Sequence, residues 1–209
     1  MSEIKIEEVL NNGIRFLINN PILILLSLVS HLLSELAGKG TANFVLMIII
    51  WYLIGEYVNG LSIRFIYESR DKKPSWKELC KFVLSKFCIL VAASIIFYLA
   101  LVIGFVLLII PGIYLGIRLI FFDCTILLED EGIKASFKRS WEMTREYVRE
   151  LFPLFFIICL PFPLIKSLKN LLPAGVYDLI NLLVFPLLMA LIRCVVTFLY
   201  LQLREIEAS

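Results

Sequence analysis

The stretch FCILVAASIIFYLALVIGFVLLIIPG, residues 87–112, decides the fold class, because it runs from Lys86 to Pro111 without one charged side chain. Crossing about 30 Å of hydrocarbon takes about 20 residues of helix, since every backbone N–H and C=O must find its partner inside the segment. The candidate span around it, 83–110, exceeds that length and has room to tilt or protrude. Similar apolar runs give candidate spans at 21–37, 43–63, 113–128, 151–170 and 176–201. The first and fourth of the six are short and need their flanks or a thin local bilayer to cross.

Composition agrees. Hydrophobic residues make up 60% of the 209, where a soluble domain carries about 45–50%. Mean hydropathy is +0.91. The expected architecture is an all-α, polytopic transmembrane bundle of about six spans, forming one membrane domain over 1–209.

Charge places the ends. Arg64, Arg70, Lys72, Lys73, Lys77, Lys81 and Lys86 crowd one loop, and Lys134, Lys138, Arg139, Arg145 and Arg149 another. The opposite loops hold only Lys39, Lys166 and Lys169. Basic residues concentrate on the cytoplasmic side, so both rich loops and both termini are expected there, in a plasma or inner membrane. Residues 1–16 mix Glu3, Glu7 and Glu8 with Lys5 and Arg15, unlike a cleaved leader.

Two amphipathic helices are expected outside the spans. Over 3–17, Ile6, Val9, Leu10, Ile14 and Leu17 recur at helical spacing. Over 132–148, Ile133, Phe137, Trp141, Thr144 and Val148 form a stripe. Such helices lie at the headgroup level or against the bundle. In 151–173, Pro153, Pro161, Pro163 and Pro173 give either a kinked span or a re-entrant pair of half-helices. The charge count favours the kinked span.

Ionised groups within apolar runs are the candidate functional residues, since each costs at least about 2.5–3.5 kcal/mol to insert. Glu56, Asp123 and Arg193 count to mid-depth from the outer helix ends. Arg118 counts to the level of Glu35 and Asp178, near the outer surface. Two polar layers follow: Arg193 facing Glu56, Asp123 or both, and Arg118 meeting Glu35 or Asp178. Tyr52, Asn59, Tyr114, Thr125 and Asn181 are available to complete the hydrogen bonds. The layers either set helix packing or line a polar cavity for a headgroup, ion or small substrate.

Other chemistry has little to stand on. Cys80, Cys88, Cys124, Cys159 and Cys194 form no CxxC pair and His31 is the single histidine, so no metal or other cofactor is expected. Ser27 and His31 share a helix face and, with Asp123, are the only conceivable start of a catalytic group. The basic clusters flank spans, which accounts for them without nucleic acid. Gly104, and the pair Gly112 and Gly116, leave room for close helix contact. Pro111-Gly112 reads as a tight outer turn.

The stretch PGIYLGIRLIFFDCTILLEDEGIKASFKRSWEMTREYV, from Pro111, resembles the multi-pass membrane domains grouped with the YciC-like proteins, including those attached to some glycerophosphodiester phosphodiesterases. Pro111, Gly112, Ile113, Arg118, Glu129, Arg139, Ser140 and Trp141 carry the likeness. The resemblance implies about six helices with amphipathic surface segments. On physical grounds Glu129 ends its helix at the inner surface, where Arg139 is placed to pair with it, and Trp141 belongs in the interfacial belt. The resemblance implies no chemistry, because the phosphodiesterase relatives hold their catalytic barrel in a separate domain. The expected function is therefore non-enzymatic: lipid binding or membrane organisation, with membrane lipids, a homo-oligomer or another membrane protein as partners. The alternative is a transporter or permease subunit whose charges line the path.

Overall fold

The computed structural model describes residues 4–38, 44–70 and 72–208, with a few side chains near 34–38, 44–47 and 174 outside that description. Helices account for every regular element among them. They are α1 (Ile6–Asn19), α2 (Ile22–Gly38), α3 (Phe44–Glu68), α4 (Trp76–Leu107), α5 (Ile109–Arg118), α6 (Phe122–Leu128), α7 (Ile133–Met143), α8 (Val148–Cys159), α9 (Pro161–Ser167) and α10 (Ala174–Ala208).

Among the described residues, four helical stretches are long and apolar enough to cross a membrane: Trp76–Leu107, Ile109–Leu128, Val148–Asn170 and Gly175–Ala208. A fifth is added if the bent pair α1–α2 counts as one span. The sequence predicts about six. The difference arises at the N-terminal side, where the first predicted span is joined to α1 through an 82° bend and the start of α3 lies partly outside the described side chains.

The 35 residues of α10 form the spine, packing against α1, α2 and α3, while α3 bridges onward to α4 and α6. Leu90, Ala93, Ile117, Phe121, Cys194 and Leu199 are fully enclosed where these helices meet. The opposite face of α4 is apolar and bare, with Leu99, Val102, Ile103, Val106 and Leu107 all more than half exposed. Exposed aliphatic surface of this extent is what a lipid-facing helix presents.

The turn between α4 and α5 falls earlier than Pro111-Gly112. Leu108 is the extended residue (φ −166°, ψ 152°), and Pro111 sits in the first turn of α5, where its missing N–H costs nothing. A side chain on Gly104 would lie 2.8 Å from the Gly112 Cα, and one on Gly112 would lie 2.7 Å from the Phe105 ring. The two helices can fold back this tightly only with glycine at the contact. Gly116, one turn on, leaves the space that the Phe155 ring of α8 fills.

Helix α1 packs on the bundle, burying Val9, Gly13 and Leu17 against α10. The Pro-rich segment is helical from Val148 through Ser167, with Pro161 opening α9 directly after Leu160. It forms a single candidate span of 23 residues, in keeping with a kinked span.

Candidate functional site

Glu56 and Asn59 lie one turn apart on α3, Ser94 and Tyr98 one turn apart on α4, and Arg193 and Thr197 one turn apart on α10. With Asp123, in the first turn of α6, they line one cavity of about 400 Å³. The remaining wall is mostly apolar, with Leu101, Ile120, Phe155, Ile158 and Phe162 prominent. Spacings of i, i+3 on α3 and i, i+4 on α4 and α10 put each pair of polar groups on one helix face, so three helices each present a polar step to the same space.

The charged side chains are held by neutral partners. Asp123 accepts a hydrogen bond from Asn59 Nδ2 at 2.9 Å and another from the Cys124 N–H at 2.8 Å. Arg193 donates to Ser27 Oγ at 2.9 Å. Ser27 is itself buried, and Thr197 Oγ1 donates back to the Arg193 carbonyl at 2.7 Å. Glu56 and Asp123 both lie within electrostatic reach of Arg193, yet no direct ion pair joins the three among the described residues. Ser94 Oγ and Tyr52 Oη are buried in the same neighbourhood as Glu56. His31, four residues beyond Ser27, stacks on Phe185 with ring centroids 4.8 Å apart.

Arg118 meets no carboxylate among the described residues: Asp178 is exposed in the first turns of α10, and the Glu35 side chain lies outside the described residues. Of the two placements open to α7, at the headgroup level or against the bundle, the structure has the second: α6 and α7 form a hairpin, and α7 packs back on the bundle beside Arg118. Only 2% of Arg118 is exposed. Its guanidinium sits 4.3 Å from the centre of the Trp141 ring and 5.8 Å from that of Tyr114. One nitrogen donates to Thr144 Oγ1 at 3.3 Å, and Nε is buried without a partner.

The reason α7 returns is visible in the backbone. Between α5 and α6 the helix is broken at residues 119–121, which frees backbone groups that a membrane cannot satisfy. Ser140 Oγ accepts from the Phe121 N–H at 3.1 Å and donates to the Arg118 carbonyl at 2.9 Å. Thr144 Oγ1 lies 3.3 Å from the same carbonyl. The deeply buried face of α7 is thus Ser136, Ser140, Met143 and Thr144, while Phe137 is half-buried and Trp141 exposed.

Arg118 is left under-compensated. An ion taken out of water costs several kcal/mol even after relaxation. A desolvated cation–π contact returns about 2 kcal/mol, and a hydrogen bond to a charged group about 1.5–3 kcal/mol. These offset the cost only in part, with one N–H still unmade.

At the end of the bundle where α10 finishes, charges meet charges. Arg139 bridges Glu129 at 3.1 Å and Glu207 at 2.5 Å, Arg204 approaches Glu129 at 3.7 Å, and Arg70 pairs with Glu205 at 2.8 Å. Partial burial works against the Arg139 charge, but the two carboxylates outweigh it and raise its pKa above the usual arginine value. Lys86 pairs with Asp130. Asp130 occupies the left-handed region (φ 61°) just after α6, a conformation that aspartate tolerates better than most residues.

The family model describing a domain of unknown function, DUF7847, matches residues 29–203. The chain belongs to the DUF7847 family. No curated protein and no solved structure matches it. The DUF7847 match spans the cavity, the α6–α7 hairpin and Arg118, while α1 precedes it. Among the described residues no three His, Cys, Asp or Glu side chains converge as metal ligands would.

Charged residues in apolar runs led to Glu56, Asp123 and Arg193. Ser94, Tyr98 and Thr197 were missed, as was Ser27 in its role as the Arg193 partner. The signal for two of them was present: Ser94 and Tyr98 are polar at i, i+4 within an otherwise apolar helix.

Proposed function

We propose that this protein is a non-enzymatic, multi-pass protein of the plasma or inner membrane, with both termini cytoplasmic, and that its cavity holds a lipid or comparable amphiphile. The observation that carries this reading is the cavity itself. Its polar steps come from α3, α4, α6 and α10, and its apolar flank comes from α5 and the Pro-broken α8–α9. An amphiphile matches such a space: a headgroup satisfies Glu56, Asn59 and Arg193, and a chain lies along Phe155, Ile158 and Phe162. Membrane lipids are then its ligands, with a second copy or another membrane protein as partner in organising the bilayer. The resemblance to YciC-like membrane domains enters only as architecture.

Native mass spectrometry of protein released from its own membrane in mild detergent tests this. Wild type is expected to retain one defined lipid, and Ile158→Trp, which fills the cavity without touching a charge, is expected to lose it. Equal retention by a folded Ile158→Trp protein would sink the proposal.

A transport path is the second reading, favoured by the α8–α9 wall, which packs on α5 and little else. The double variant Glu56→Gln with Arg193→Gln separates the two. Full cellular effect from that folded variant would exclude a charge-dependent path.

A further inference from the structure

The cavity leaves Arg118 unexplained. This side chain lies outside it, is almost wholly enclosed, and has no carboxylate partner among the described residues. Its one side-chain hydrogen bond goes to Thr144 Oγ1, an oxygen already shared with the Ser140, Trp141 and Arg118 carbonyls. Nε is buried and points at no acceptor. A second cation, the exposed Arg145, lies within electrostatic reach of it. A guanidinium presents its donors as a planar fork suited to two oxygens of one anion. Here the fork stands with an N–H unmade and a second arginine within electrostatic reach.

What covers it is equally specific. Trp141 and Tyr114 lie edge to face, with centroids 5.8 Å apart, and both are more than one-third exposed. Trp and Tyr favour the zone where lipid headgroups meet hydrocarbon. The exposed Trp141 ring lies over the buried guanidinium at 4.3 Å, so displacing that ring would open a way to it. An anion arriving there replaces the ring as partner to Arg118 and meets Arg145 as well.

We infer that Arg118 and Arg145 form a binding site for a phosphate anion, supplied by the headgroup of a membrane phospholipid and gated by Trp141 and Tyr114. Phosphate fits both the fork and the pair of cations. The lipid is favoured over a partner protein's carboxylate because the cover is aromatic and exposed, and because bare apolar surface continues along α4 and α5. This site is separate from the mid-bundle cavity, and the two stand or fall independently.

The test uses the full chain, purified in a neutral detergent, stripped of lipid and titrated with phosphatidylglycerol. Bound lipid is read by native mass spectrometry and stability by thermal melting. Wild type should retain a phosphatidylglycerol that Ile158→Trp retains as well, and melt higher with it. Arg118→Gln should weaken retention by on the order of tenfold or more and abolish the lipid-dependent rise. Arg145→Gln should weaken retention by about fivefold, the worth of one basic residue beside anionic lipid. Inorganic phosphate identifies the source: failure to displace the lipid or raise the melting point marks a headgroup site, while full competition marks a site for phosphate itself.

A folded Arg118→Gln protein that retains phosphatidylglycerol as wild type does would overturn the inference. If Arg118→Gln does not fold, undiminished retention by Arg145→Gln overturns it instead. Retention lost in Ile158→Trp but kept in Arg118→Gln would place the lipid in the cavity, leaving the proposed function standing and this inference refuted.

Discussion

Charges at the two levels of this bundle are handled in opposite ways. At the end where α10 finishes, Arg139, Arg204 and Arg70 each take a carboxylate from another part of the chain. Deep in the bundle, Asp123 takes Asn59 and Arg193 takes Ser27, both neutral. At the water-exposed end an ion pair gains little and mainly fixes which helix ends sit together. In the interior a neutral partner holds a charge in place without cancelling its field. The first arrangement is closed, and the second still has something to offer a ligand.

The strongest way to break this contrast is Arg193→Leu. Removing the cation leaves Glu56 and Asp123 facing each other without compensation, and about 3–5 kcal/mol of stability should disappear. Thermal melting in detergent measures it, and a loss below about 1 kcal/mol would mean the interior does not depend on this charge. Next in size is Ser140→Val, which strands the Phe121 N–H and leaves the Arg118 carbonyl only its longer contact to Thr144. Its expected cost is about 1–3 kcal/mol, and an unchanged melting point would show that the break is satisfied in some other way.

Arg139→Gln probes the charged end. Its side chain is 31% exposed, so the expected loss is only about 1 kcal/mol after solvent screening. The loss should shrink as salt is added, whereas that of Arg193→Leu should not. The pH response sharpens the same point. A raised Arg139 pKa means its contribution is complete below the ordinary arginine value and is lost only as pH climbs through the higher, folded one. Between pH 7 and pH 10 a melting curve should therefore register no loss from this group. Asp130→Gly should be the smallest change, within about 0.5 kcal/mol. Glycine relieves the left-handed backbone while giving up the exposed contact to Lys86.

The parts of this architecture that were legible in the sequence are those written in hydrophobicity. The charge-free run before Pro111 gives α4, and the spacing of Val9 and Leu17 gives the face that α1 buries. Glu56, Asp123 and Arg193 stand out because an ionised residue in an apolar run is conspicuous. What was illegible depends on backbone accounting. The stripe Ile133, Phe137, Trp141, Thr144 and Val148 marks an amphipathic helix, but within it only Thr144 is deeply buried. Ser136 and Ser140, outside that stripe, are buried with it, because the break at 119–121 needs hydroxyls. Nothing in the amino-acid order announces that residues 119–121 leave the helix, so neither the return of α7 nor the true surroundings of Arg118 could be read there. The turn at Leu108 was displaced for a similar reason, since proline is as comfortable just inside a helix as before it.

The hydroxyls that close the α5–α6 break lie far downstream of it, with Thr144 26 residues beyond Arg118. A chain made from its N-terminus therefore presents the broken segment before its mending partner exists. Biogenesis has an order built in: α5 and α6 cannot settle in lipid as a finished unit until α7 has been synthesised. A chain arrested before Ser140 should stay beside the insertion machinery, and one extended past Thr144 should be released from it.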